Sequence, residues 1–263
     1  MKTALITFVT STLLVSSYAQ AEQFYGFADA SINYLDWTDK AEDRTDPNIG
    51  GLGGPKEDFI YLEVEGGAGF DWGDVYGFFD LENAENSRTE GANDTSGFRI
   101  AMKGSIAVNI GESNWNLYSH FYSFTEASGG FFDQNLVIGA SYDIFTESGF
   151  WIKPFLGVHI ENQTYAGSGT NGYMGGWVLG YDFQLFEQKF TVSQWHETEF
   201  GRKDQFRSNG VGTLSDTGQN GAVALWWHIS QSVTTGLQYR YADHKLGTAA
   251  YHDAIIYTAK YNF

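Results

Sequence analysis

The chain has 263 residues, 15 Lys and Arg against 32 Asp and Glu, a formal charge of −17 and no cysteine. Such acidity argues against a basic nucleic-acid surface, and the missing thiols exclude both a disulfide framework and a thiolate metal site. With 32 Gly, 17% aromatics and only 3 Pro, the composition suits long ring-lined strands rather than a Pro-rich disordered tail.

Met1 and Lys2 open the chain with a short basic segment, an apolar stretch runs from Ala4 to Val15, and Ala19-Gln20-Ala21 is a small-x-small cleavage site. This is the pattern of a secretory signal. Residues 1–21 are therefore expected to be removed, leaving a mature chain from Glu22 to Phe263 whose charge becomes −18 with the loss of Lys2. The apolar stretch is too short for a bilayer helix of roughly 20 apolar residues. Every later apolar run is interrupted by Gly, Asp or Glu. A membrane location then requires a closed barrel.

Alternating segments separated by turn residues predict twelve strands, at 23–37, 58–69, 73–82, 97–108, 114–125, 133–144, 150–162, 172–185, 189–200, 219–229, 232–243 and 253–263. The expected fold class is all-β, an antiparallel transmembrane barrel with both termini periplasmic, because an even strand count returns the chain to its starting rim. Spacing between strands supports this. Long or polar spacers follow the odd strands, such as Thr38 to Glu57, Asn83 to Ser96 and Gly201 to Gly218, while tight links such as Phe70-Asp71-Trp72, Phe186 to Gln188 and Ser230-Gln231 follow the even ones. Short turns at one rim and long loops at the other are the habit of outer-membrane barrels.

Period-two alternation assigns the faces. The first strand offers Tyr25, Phe27 and Asp29 inward. In the second, Ile60, Leu62 and Val64 face lipid, which turns Phe59, Tyr61, Glu63 and Glu65 inward. The third turns Asp74, Tyr76, Phe78 and Asp80 inward, the fourth Arg99, Lys103 and Ser105, and the seventh Lys153, Phe155, His159 and Glu161. The ninth presents Trp195, Glu197 and Glu199 opposite Phe190 and Val192, and the eleventh Thr234, Gln238 and Arg240. In the last, Ile255, Tyr257, Ala259, Tyr261 and Phe263 share the lipid face, and Ala254, Thr258, Lys260 and Asn262 the other. A basic group placed toward lipid instead would cost about 2–4 kcal/mol near the midplane. The pore-lining candidates are Phe27, Asp29, Tyr61, Glu63, Glu65, Tyr76, Asp80, Arg99, Trp195, Glu197 and Arg240.

Twelve strands give a bore between the filled eight-stranded barrels and the open sixteen-stranded porins. Carboxylates beside rings suit a small solute with a flat apolar face and hydroxyls, such as a nucleoside or an aromatic glycoside. The same residues also fit a plainer role, in which the inward acids pair with Arg99, Lys103, Arg240 and Lys260 and fill the interior.

Tyr61-Leu62-Glu63-Val64-Glu65, then Gly66-Gly67, then Asp74-Val75-Tyr76-Gly77-Phe78-Phe79-Asp80 resembles the Y-L-E-x-E and D-x-Y-G-x-x-D hairpin of the nucleoside-specific channel-forming outer membrane proteins, the Tsx and OmpK family. The first strand, Gln23 to Trp37, departs from that family's tryptophan-rich opening. The resemblance implies a monomeric twelve-stranded barrel in the outer membrane of a Gram-negative cell, passing nucleosides by diffusion, with Glu63, Glu65, Tyr76 and Asp80 in the pore. It also implies partners: outer-membrane lipid, the barrel assembly machinery, which reads the closing Tyr261 and Phe263, and bacteriophage or colicins on the long loops. A general small porin and a surface receptor barrel are the alternatives. A barrel hydrolase is the third, since His228-Ile229-Ser230 resembles part of an outer-membrane phospholipase signature, but no Asn-Gly follows and no third group orients a base. That His is expected at the barrel end, at the membrane interface. The remaining His residues lack the close spacing of zinc ligands, so no metal and no cofactor are assigned, and the chain is not expected to be an enzyme.

Overall fold

A computed structural model of the protein describes residues 21–84, 86, 97–127, 130–207 and 213–263. The expected signal segment lies outside the described residues apart from Ala21. Thirteen strands form one antiparallel sheet: β1 (Gln23–Trp37), β2 (Phe59–Phe70), β3 (Gly73–Glu82), β4 (Arg99–Asn109), β5 (Trp115–Glu126), β6 (Phe132–Tyr142), β7 (Ile144–Phe145), β8 (Phe150–Gln163), β9 (Gly167–Leu185), β10 (Gln188–Phe200), β11 (Thr217–His228), β12 (Val233–Asp243) and β13 (His252–Asn262). β7 is a two-residue pairing with the start of β8; the other twelve are the staves of a barrel. Each pairs with its chain neighbours, β6 with β8, and β13 with β1, so no edge is left open. Closure satisfies the backbone groups that hydrocarbon could not. No helix among the described residues is long and apolar enough to cross a membrane.

The alternation that predicted the faces holds in three dimensions. Along β1, Asp29, Ser31, Asn33, Leu35 and Trp37 are buried, whereas Ile32 and Tyr34 between them are exposed on the outer wall. β2 repeats this, with Ile60, Leu62 and Val64 outside at 43–56% exposure. Stacked rings band the short-turn end, including Phe70 on Trp72 at 5.2 Å and the run Tyr181, Phe183, Phe190 and Trp227. Such belts place an amphipathic ring where lipid meets water.

Turn chemistry sets the short rim. Between β9 and β10, Phe186 and Glu187 both adopt left-handed backbone, with φ of 50° and 62°, the geometry of a two-residue hairpin that follows the twist of its strands. At the first position of β3, Gly73 has φ of 145°, and a Cβ there would lie 1.9 Å from the Ala107 carbonyl oxygen. No other residue fits that position.

Three expectations need correction. The spacer after the seventh predicted strand is only residues 164–166, because Gly167 to Asn171 extend β9 and pair with β8 across a bulge at Val158 and Ile160. Small and polar residues there masked the strand in the alternation. The predicted strand at 133–144 breaks at Asp143, whose N–H turns to the Asn114 carbonyl. The inner face of the last strand is not uniformly wet: Ile256, 2% exposed, joins Leu35, Trp37, Ala41, Tyr61 and Ala254 in a dry cluster.

That cluster is covered by the first long loop, which bends into the mouth. Helix α1 (Asp39–Thr45) starts at an N-cap, Thr38, whose hydroxyl oxygen accepts from the Ala41 N–H, and ends where the Thr45 hydroxyl bonds back to the Ala41 carbonyl. Ala41 and Thr45 are fully buried. A 3-10 turn follows at Pro47–Ile49. Lys56 then donates to the Leu246 carbonyl at 2.6 Å, tying the first and last long loops together.

Candidate functional site: the barrel lumen

The interior carries three groups of side chains. The densest lies on β1, β2, β3 and β13. Cross-strand register aligns Lys260, Ser31, Glu63 and Asp80 in one row, with Asp29 beside Glu65 one step nearer the short rim. Lys260 bonds Glu65 and lies 3.4 Å from Asp29, and its ammonium rests 4.6 Å above the Trp226 ring. Tyr76 donates to Glu65 at 2.8 Å, and the Phe27 and Tyr76 rings are 6.3 Å apart. Phe27 is buried in neither neighbour, with 48% of its surface open to the lumen. The hairpin thus sets Tyr76, Glu63, Glu65 and Asp80 beside Phe27 and Asp29 of β1 on one wall.

A second group reaches across. Lys103 on β4 bonds Glu197 on β10, while Lys245, from the last long loop, sits 2.8 Å from Glu199 and 3.8 Å from Glu197. Arg202 closes on Glu199 at 2.6 Å. Burial lowers the Lys245 pKa, but Glu199 and Glu197 outweigh it and hold the ammonium above its ordinary value. Near the short rim Lys153 of β8 meets Asp74 of β3 at 2.5 Å and the Tyr25 hydroxyl of β1 at 3.5 Å. The Lys103–Glu197 and Lys153–Asp74 bridges cross the bore rather than run along its wall, so they narrow it.

Toward the long-loop mouth, Arg99 pairs with Glu82 at 2.7 Å and stacks on Phe59, whose ring is 5.8 Å from Tyr61. Arg240 lies 5.6 Å over the Trp195 ring, and its buried Nε has no hydrogen-bond partner. The structure therefore brings Phe27, Asp29, Glu63, Glu65, Tyr76 and Asp80 together. It places Arg99 with Tyr61 higher up, joins Trp195 to Arg240, and commits Glu197 to two lysines.

Sequence reasoning did not find Lys245, Arg202 or Trp226. The first two lie in loops, where no periodicity announces a direction. Trp226 sits among Ala222, Ala224 and Trp227, a stretch apolar on both faces. The aromatic wall of Tyr118, His120 and Phe155, with rings 4.9–5.6 Å apart, was legible only for Phe155. His228 ends β11 at the short rim, the barrel end where it was expected. Its two ring nitrogens lie 2.9 and 3.0 Å from the hydroxyls of Thr191 and Thr234, and the Ser230 hydroxyl caps its own turn. The Thr191 hydroxyl also bonds the Asp182 carboxylate at 2.5 Å.

A closed twelve-stave barrel with a lipid-facing outer wall and a charged and ringed interior defines an outer-membrane channel. A family model described as nucleoside-specific channel-forming protein, Tsx, matches residues 32–263. The chain belongs to that family, and is a passive channel of the Gram-negative outer membrane. Its fold is similar to that of the NanC porin, with a TM-score of 0.51, 10% identity, and 90% of this chain and 100% of that chain covered. An outer membrane channel from Pseudomonas putida F1 aligns at a TM-score of 0.45 and 12% identity, over 95% of this chain and 100% of the other.

Proposed function

We propose that this channel passes nucleosides, and that the wall of Phe27, Tyr76, Glu63, Glu65 and Asp80 is where they are recognised. The observation that carries this is the junction of the open Phe27 ring, the Tyr76 ring and the Glu65 carboxylate, with the Tyr76 hydroxyl already bonded to Glu65 at 2.8 Å. A base stacks on the ring faces while the sugar hydroxyls donate to the carboxylates. Trp195 with Arg240 supplies a second ring and charge nearer the mouth. Bridges across the bore restrict passage to solutes that thread between them, which disfavours a general porin. The reading includes no enzymatic role for His228, which the two threonines hold as a filling residue.

On this reading residues 1–21 are cleaved, the short-turn rim and both termini face the periplasm, and the barrel works as a monomer. Tyr261 and Phe263, 55% and 80% exposed with their rings 5.5 Å apart, then form the signal presented to the assembly machinery. The opposite rim, with its long loops, is the face open to bacteriophage.

Single-channel recording in planar bilayers tests the central claim. Adenosine or thymidine is expected to block the current in a saturable way that glucose does not. Glu63→Gln with Glu65→Gln is expected to keep the barrel and weaken that block; unchanged block in the folded double variant assigns recognition elsewhere.

A further inference from the structure

The last long loop, residues 244–251, is held in two different ways. Its second half is packed: Thr248 is fully buried, Ala250 is 6% exposed, and His252, where β13 begins, sets its ring 5.3 Å from that of Trp37. Its first half is held by charge. Lys245 reaches into the lumen, where its ammonium lies 2.8 Å from Glu199, 3.8 Å from Glu197 and 2.9 Å from the Asn220 amide oxygen. Arg202 donates to the His244 carbonyl and Lys56 to the Leu246 carbonyl, both at 2.6 Å, and the His244 Nδ1 accepts from the Ser215 N–H at 3.1 Å. On either side of Lys245 the backbone is left-handed, with φ of 51° at His244 and 56° at Leu246. Neither residue is glycine, and such strain persists only where the surroundings hold it.

We infer that residues 244–247 form a gate at the long-loop mouth, latched shut by Lys245 and hinged at Gly247. Seated, the Lys245 ammonium stands beside the Lys103–Glu197 bridge, so a solute entering from this rim meets a row of charges running from β4 through β10 to the loop. Lifted, His244 and Leu246 relax to ordinary backbone and the ammonium leaves the bore. The acids are not stranded by this movement, because Glu199 keeps Arg202 at 2.6 Å and Glu197 keeps Lys103. Lys245 is therefore the removable member of the row. Gly247, exposed and with φ of 83°, joins the charge-held half to the packed half, and a residue so placed can absorb the change in backbone angle. Strain at His244 and Leu246 favours release while the bonds of Lys245 favour seating. A left-handed residue and a hydrogen bond to a charged group are of similar size in energy, which is the balance a two-state element needs.

Gating is read from the ionic current without any nucleoside, so it stands or falls separately from the recognition reading. Single-channel recording of the native barrel in planar bilayers is expected to show steps between two conductance levels. Lys245→Met removes the latch and is expected to raise the ratio of time in the upper level to time in the lower at least about tenfold, while circular dichroism still reports the barrel. Leu246→Gly relieves the strain and leaves every charge and the Lys56 acceptor in place. It is expected to lower the same ratio about threefold, a tightening that misfolding cannot imitate. One steady level in the native channel, an unchanged ratio in the folded Lys245→Met variant, or more opening by Leu246→Gly overturns the gate.

Discussion

Lys103 on β4 and Glu197 on β10 meet across the lumen, although β5, β6, β8 and β9 separate them around the wall. The contact is a strap over the bore, and its removal has two readouts. Lys103→Met leaves Glu197 with Lys245 at 3.8 Å as its remaining cation. The variant is expected to lose about 1.5–3 kcal/mol, the worth of a hydrogen bond to a charged group, in urea unfolding. Its single-channel conductance is expected to rise. A bore of unchanged conductance would show that the strap does not set the passage.

Ile256 anchors the dry cluster beneath α1. Ile256→Ala removes a side chain only 2% exposed and is expected to cost about 2–5 kcal/mol. Most of that loss falls on the loop it supports. Limited proteolysis should therefore cut within residues 38–58 faster in the variant, with the strands still protected.

Lys56 gives that same loop a pH dependence. Partial burial, then the charges of Arg99 and Arg240, lower its ammonium to about 7, whereas the free side chain titrates near about 10.4. Between those values the undocked loop binds a proton that the docked loop has released, so docking strengthens as pH rises. Below pH 7 both forms are charged and the penalty is complete. Loop cleavage is expected to be slower at pH 9 than at pH 6 relative to an unstructured control peptide, and Lys56→Met should flatten the difference.

The Phe263 N–H donates to the Ala28 carbonyl at 3.0 Å, and its ring is otherwise 80% exposed. Deleting Phe263 is expected to cost only about 1 kcal/mol of barrel stability, yet to reduce insertion into the outer membrane sharply. Fractionation of cells beside unfolding of the refolded protein separates the two effects. Normal insertion would remove the assembly role.

Much of this was legible in the chain because a strand turns each successive side chain to the opposite face. Glu63, Glu65, Tyr76 and Asp80 could be placed inward from the lipid-facing Leu62, Val64, Val75 and Phe79 that alternate with them, and β1 and β3 ended where predicted. The extension of β9 through Gly167 and Gly169 was illegible, since glycine marks neither face. Lys245 and Arg202 were hidden for another reason: loop residues have no period, and only the fold of the mouth aims them at Glu199.

The sequence by itself determined the closed barrel, its strand count and the inward side of the acids on β2 and β3, because bilayer solvation imposes alternation on the staves that cross it. Which charges meet was decided only in three dimensions. Barrel closure and tilt bring Lys103 to Glu197 and Lys260 to Asp29 and Glu65, strand pairing sets Asp80 opposite Glu63, and the inward bend of the first loop seals Ile256 away from water. Coulomb and packing energies depend on distances through the lumen, and those distances belong to the closed cylinder rather than to the order of its residues.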